Sequence, residues 1–273
     1  MWRFEGSRSV WELVKTTGDE PSGRDGHSMT IWRNKIVIFA GKYFIFGGKS
    51  SFYSGFDSEI ECYSNETHFF DIPTSTWTRV ITNGIAARWR DFHTAAEVGD
   101  KLYVFGGRAD IFGQLQSNQD YYCNKYVTSV IKLIINFVFR LKYLDLVTLN
   151  WHEVQNTLVE NTEVQPPGRR SHACFVYKNK MYASSSILFI IQSFRFIFGG
   201  YNAREQKHYN DMWCYDTESG KWAELMGYGK RPSARRRHTA VCIGSKVITI
   251  PNEYFCKRSI TSGLHIWWNF SGS

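Results

Sequence analysis

The sequence contains no Cys-x-x-Cys pair; its six cysteines, Cys62, Cys123, Cys174, Cys214, Cys242 and Cys256, stand far apart. That usage fits neither a zinc site nor a disulfide framework and is the one expected in a reducing compartment. The opening residues, Met1–Leu13, lack the apolar core of a signal peptide. No apolar run reaches the ~20 residues that a membrane span needs. The two greasiest stretches, 127–139 and 187–198, are interrupted by Lys132 and Arg195. No membrane partner is therefore expected. The spacings offer no nucleotide-binding glycine loop, no nucleophile–base couple and no set of metal ligands, so neither an enzyme nor a cofactor is expected. Asn65 and Asn269 open glycosylation-type triplets, read as chance without a secretory leader.

Aromatic residues are plentiful (Trp 10, Tyr 15, Phe 20), and the 22 glycines are scattered along the 273 residues. That mixture suits many short strands joined by tight turns, the pattern of an all-β protein. The net charge of +8 points to acidic partners such as nucleic acid, an acidic protein tail or a carboxylate.

Internal repetition organises the chain. An aromatic followed by two glycines occurs at Phe46-Gly47-Gly48, Phe105-Gly106-Gly107 and Phe198-Gly199-Gly200. Upstream lie Arg24/His27, Arg90/His93 and Arg169/His172, each Arg three residues before its His, and a fourth such pair is Arg235/His238. Asp precedes Trp by six residues at Asp71/Trp77, Asp145/Trp151 and Asp216/Trp222, and Trp11 fits the Trp of a further repeat. Trp-to-His spacing is 16 in three repeats and 21 in the fourth. This is the order of a kelch blade. The expected fold is an all-β, kelch-type β-propeller of about four blades of antiparallel strands. Repeats lie near 12–77, 78–151, 152–222 and 223–250 of a 1–250 propeller, with a non-repeat tail at 251–273. One blade cannot bury its own faces, so the blades must stack.

The spacing also breaks. His to first Gly is 13 residues in the second repeat, 20 in the first and 27 in the third. Insertions are expected at 38–44 and 183–196, with a third at 126–140 between the second glycine pair and its Trp. Two of them fall inside a core strand and lack turn chemistry. We read them as extra translated sequence, such as retained intron; the alternative is loops bearing a hydrophobic patch. In the fourth repeat, Pro251 stands where a glycine is expected.

The runs Ala87–His93 (ARWRDFH), Tyr103–Asp110 (YVFGGRAD), Ser117–Lys125 (SNQDYYCNK), Gly168–His172 (GRRSH) and Phe198–Arg204 (FGGYNAR) resemble the kelch domain-containing protein 3 family. That family has six repeats, and this chain resembles the last four, an incomplete part of a six-bladed ring. The resemblance implies a substrate receptor of a cullin-2 RING ubiquitin ligase that reads C-terminal degrons ending in glycine. It implies peptide partners with a free C-terminal glycine and assembly with elongin–cullin-2. It also implies a link to chromatin in meiotic germ cells, and a cytoplasmic, with some nuclear, location. The family's cullin-engaging C-terminal region is replaced here by 252–273.

Comparison between repeats separates scaffold from site. The Arg and His present in every repeat are assigned to structure. Positions that vary are Asp25, Asp91, Arg170 and Arg236 two before the His, and Gly26, Phe92, Ser171 and Arg237 one before it. After the glycine pairs stand Lys49, Arg108 and Tyr201. These positions should ring one mouth of the propeller, where a rigid scaffold carries function. Arg108, Arg170, Arg236 and Arg237 are the expected carboxylate grips, since a guanidinium fork matches a carboxylate. In related C-degron readers the matching positions, here Arg108 and Arg170-Ser171, hold the terminal carboxylate. Trp89, Phe92 and Tyr201 are the expected apolar walls. Asp91 and Asp110 are candidate partners for a basic ligand residue, or for a neighbouring Arg.

Overall fold

The structure, a computed structural model, describes residues 1–45, 60–109, 120–121, 141–154, 165–182, 189–203, 205–227, 229, 231–243, 246–250 and 265–269. All regular structure among these residues is β, and no helix is long and apolar enough to cross a membrane. The insertion expected at 126–140, most of 251–273, Lys49 and Asp110 lie outside the described residues.

The chain starts as a hairpin, β1 (Trp2–Glu5) with β2 (Val10–Leu13). The first full sheet holds β3 (Thr17–Gly18), β4 (Arg24–Asp25), β5 (Ser28–Trp32), β6 (Lys35–Ile45), β7 (Ile60–Asp71) and β8 (Thr76–Val80). The second blade has β9 (Thr94–Val98), β10 (Lys101–Phe105), β13 (Lys142–Asp145) and β14 (Trp151–Glu153). Between its inner and outer strands lies a small ribbon, β11 (Arg108–Ala109) with β12 (Asp120–Tyr121). The third blade repeats the plan with β15 (Ala173–Tyr182), β16 (Phe189–Phe198), β19 (Met212–Asp216) and β20 (Lys221–Leu225), and with the ribbon β17 (Tyr201–Asn202) and β18 (Lys207–His208). The last sheet is β21 (Thr239–Ile243), β22 (Lys246–Ile250) and β23 (His265–Asn269). The opening strands β5, β9, β15 and β21 lie side by side in that order. This is the antiparallel propeller architecture that the repeats predict.

The hairpin β1–β2 is the outer half of a blade. Phe4 pairs with Trp11 across it as Phe70 pairs with Trp77 and Leu144 with Trp151. Glu5 thus takes the place of the Asp six residues before the Trp. Phe4 is 50% exposed and Trp11 65%, against 2% for Phe70 and 4% for Trp77, whose inner strands are in place. Each such aromatic contributes about 1.5–3 kcal/mol when fully buried.

The first blade meets the spacing rule in an unexpected way. Phe39 touches His93 edge-on at 5.4 Å, just as Phe105 touches His172 at 5.5 Å and Phe198 touches His238 at 5.3 Å. The Arg24 Nη1 donates to the Ala40 carbonyl (3.1 Å), as Arg90 Nη1 does to Gly106 (2.9 Å) and Arg169 Nη1 to Gly199 (3.0 Å). Gly41 N–H donates to Arg90 O, Gly107 N–H to Arg169 O and Gly200 N–H to Arg235 O. Phe39-Ala40-Gly41 therefore fills the Phe-Gly-Gly slot, 13 residues after His27 like its counterpart at 106. Ala40 adopts the left-handed φ of 61° that Gly106 and Gly199 adopt at 66° and 65°, forming a bulge in β6. The sequence reading put the surplus of this repeat at 38–44; these bonds move its start to Lys42.

The same bonds account for the recurring Arg and His. Arg24, Arg90 and Arg169 each tie the end of their blade's second strand, and the carbonyls of Arg90, Arg169 and Arg235 each receive the preceding blade's second glycine-slot N–H. His93 Nε2 lies 2.8 Å from Ser28 Oγ, and His172 Nε2 lies 2.7 Å from Thr94 Oγ1. The scaffold role assigned from recurrence is thus a joint between neighbouring blades.

Candidate functional site

One end of the blades carries the varying positions. A backbone ladder crosses from blade to blade there: Phe92 N–H donates to Gly26 O (2.8 Å), Ser171 N–H to Phe92 O (2.9 Å) and Arg237 N–H to Ser171 O (2.9 Å). All four residues are left-handed, with φ of 66° at Gly26, 51° at Phe92, 54° at Ser171 and 54° at Arg237. For a non-glycine residue this conformation costs roughly 1–2 kcal/mol and persists only where the surroundings impose it. The ladder imposes it, and so fixes where these side chains leave the backbone.

The positions two before each His pair with those after the glycine slot. Asp25 is opposite Lys42, Asp91 opposite Arg108, and Arg170 opposite Tyr201. Sequence reasoning chose Lys49 for the first of these, following the glycines at 47 and 48. Because Ala40-Gly41 fills the slot, the residue that reaches the mouth is Lys42.

Two aromatic rings organise the arginines. Phe92 has two guanidiniums beside its ring, with the carbons of Arg108 and Arg237 at 5.5 and 5.2 Å from its centroid. Tyr201 has Arg170 at 5.7 Å and Arg236 at 4.4 Å from its centroid. Cation–π contacts of this kind contribute about 0.5–2 kcal/mol and keep each guanidinium beside a ring. The structure thus brings together Arg108, Arg170, Arg236, Arg237, Phe92 and Tyr201, with Ser171 in the connecting ladder. Trp89, three residues before Phe92, is 40% exposed.

The acidic residues at this mouth were only partly legible. Asp91 is fully buried and binds Arg108 through both oxygens, Nε to Oδ1 at 3.0 Å and Nη2 to Oδ2 at 2.5 Å. It serves the second of the two roles considered for it, pairing with a neighbouring Arg. Burial pushes its carboxyl above the ordinary value, while Arg108, Lys42 and Arg170 pull in the opposite direction. Arg108 is consequently a built-in part of the wall, oriented by Asp91. Among the described residues, no three or more His, Cys, Asp or Glu side chains gather as a metal ion would need.

Known proteins resemble the chain as a whole. A family model described as the KLHDC2/KLHL20/DRC7 Kelch-repeats domain matches residues 1–250. Kelch domain-containing protein 3 of Homo sapiens is 35% identical over 248 residues, 91% of this chain and 52% of that protein, and that of Mus musculus matches with the same identity and coverage. Kelch domain-containing protein 2 of Bos taurus is 25% identical over 237 residues, covering 84% of this chain and 48% of that protein. The chain therefore spans about half the length of these curated relatives. A solved structure titled "Structure of YjhT" superposes with a TM-score of 0.56 at 17% identity, covering 88% of this chain and 62% of that one. At that identity the likeness concerns the fold.

Proposed function

Since the chain belongs to the kelch-repeat family of that domain, we propose that it is a non-enzymatic protein-binding module whose arginine-rich mouth grips the C-terminal carboxylate of a peptide. The observation that carries this reading is the pair of rings, Phe92 and Tyr201, each with two guanidiniums close beside it. The Arg108 fork is engaged by Asp91, so the peptide's carboxylate falls to Arg170, Arg236 and Arg237, whose guanidinium N–H groups match its geometry. A ligand ending in glycine has no terminal side chain to place against the backbone ladder.

The likeness to kelch domain-containing protein 3 supports a finer reading: a substrate receptor of a cullin-2 RING ubiquitin ligase for C-terminal glycine degrons, working in cytoplasm and nucleus. Titrating a labelled peptide that ends in glycine, against the same peptide amidated at its terminus, tests the mouth. Co-precipitation with elongin–cullin-2 tests the ligase role separately.

The net charge of +8 favours a second reading, a chromatin-associated protein that binds through the same basic surface. Steep loss of DNA binding with salt, together with indifference to a peptide's free terminus, is its signature.

A further inference from the structure

Arg195 is completely buried. Its Nη2 donates to Thr94 O and Oγ1 at 3.0 and 2.8 Å, its Nε lies 3.2 Å from Cys174 Sγ, and its Nη1 has no partner. No carboxylate among the described residues pairs with it. A buried cation held only by neutral groups is costly, and proteins rarely keep one without a reason.

The strand registers identify whose place it occupies. In the second blade Thr94 pairs with Phe105 and Leu102 with Glu97. In the third, Ala173 pairs with Phe198 and Val176 with Arg195. Arg195 therefore stands at the position of Leu102, which is 1% exposed, and of Val247, also 1% exposed. The chain holds a better candidate for that position. Lys180-Met181-Tyr182 joined directly to Ile197-Phe198-Gly199-Gly200 aligns with Lys101-Leu102-Tyr103-Val104-Phe105-Gly106-Gly107, differing only by Met for Leu and Ile for Val, with Lys178-Asn179 at the turn of Gly99-Asp100. The join restores the 13-residue spacing from His to glycine.

We infer that residues 183–196 are an optional segment, and that a form of this protein lacking them builds the third blade with Met181 in the place of Arg195. The long form extends the β15–β16 hairpin, pairing as far as Tyr182 with Phe189, and draws Arg195 into the core. The corner of this blade carries Arg170, Ser171 and Tyr201, so the choice of form sets the stability of that half of the mouth. The consequence for binding rests on the proposed carboxylate grip; the exchange in the core does not.

The test compares thermal unfolding of three proteins: the full chain, the chain with 183–196 deleted, and the full chain with Arg195→Met. Transcripts are amplified across the segment in parallel. The inference expects a message lacking the segment and a deletion form that unfolds cooperatively roughly 5–10 °C higher. Arg195→Met should shift the midpoint in the same direction. A deletion form that fails to fold or melts lower, an Arg195→Met variant that melts lower, or the absence of any short message overturns it. If both core changes stabilise while neither form distinguishes acid from amide peptides, the mouth reading fails and this one stands.

Discussion

His172 Nε2 lies 2.7 Å from Thr94 Oγ1: the histidine of one blade is bound to the hydroxyl that follows the histidine of the blade before. The joint before it is built alike, from His93 and Ser28. At the next joint the corresponding residue is Ala173, and the buried His238 finds no hydroxyl there.

Ala173→Ser should therefore stabilise the protein by about 1 kcal/mol, the net worth of one added hydrogen bond. Thr94→Ala should destabilise it by about 1–3 kcal/mol, because it strands a buried ring nitrogen and removes one acceptor of the buried Arg195. Urea unfolding of the two variants, with opposite shifts of the midpoint, checks the joint.

The same histidines set a pH dependence. Burial pushes His93 and His172 well below 6.5, reinforced by Arg90 at the first and Arg169 at the second, and it pushes His238 down to about 4. The fold thus prefers the neutral ring, while the unfolded chain binds protons from about pH 6.5 downward. Their stabilisation is complete above pH 6.5 and is lost as pH falls toward 4, at up to about 1.4 kcal/mol per pH unit for each histidine. Asp91, raised by burial, runs the other way as one group against three. Denaturant midpoints should fall between pH 7 and pH 4.5, and His238→Gln should flatten that fall.

The glycine slot gives a third expectation. At Gly107 φ is 100°, and an added Cβ would lie 2.8 Å from Asp91 O and from the His93 Cβ. Gly107→Ala should cost about 3 kcal/mol or more, since strain and overlap act together. Ala40→Gly should be neutral or slightly stabilising, because relief of the left-handed Cβ offsets the extra freedom of the unfolded chain. A large loss on Ala40→Gly would contradict the assignment of Ala40 to this slot.

Much of this was readable in the sequence because repetition exposes it. Arg and His at fixed offsets marked the joints, and the residues differing between repeats marked the mouth. What escaped notice did so for physical reasons. Ala40 does the work of a glycine because the Arg24 bond and the Phe39–His93 contact hold its backbone, while the Gly47-Gly48 pair drew attention downstream. Glu5 stands in the place of the Asp six residues before the Trp and accepts from the Ser7 hydroxyl at 2.8 Å. The Asp91–Arg108 pair spans 17 residues and exists only through the bridge that sets those strands side by side.

That pair also decides which mutation is informative. Arg108→Ala would leave Asp91 buried without its cation, a loss of about 3–5 kcal/mol, so weakened binding would be confounded with weakened folding. Arg236, beside Tyr201, is the cleaner probe. Arg236→Ala should lower peptide affinity about tenfold or more while shifting the unfolding midpoint little.

The central claim, a mouth that reads a free carboxylate, is tested most directly by one ratio: the Kd of an amidated glycine-terminated peptide over that of its acid form, measured for the natural chain and for Arg236→Ala. The account predicts a ratio of about ten or more, as expected for a charge-assisted contact worth at least ~1.5 kcal/mol, falling toward one in the variant. A ratio of one in the natural chain, with both peptides bound equally, would contradict it.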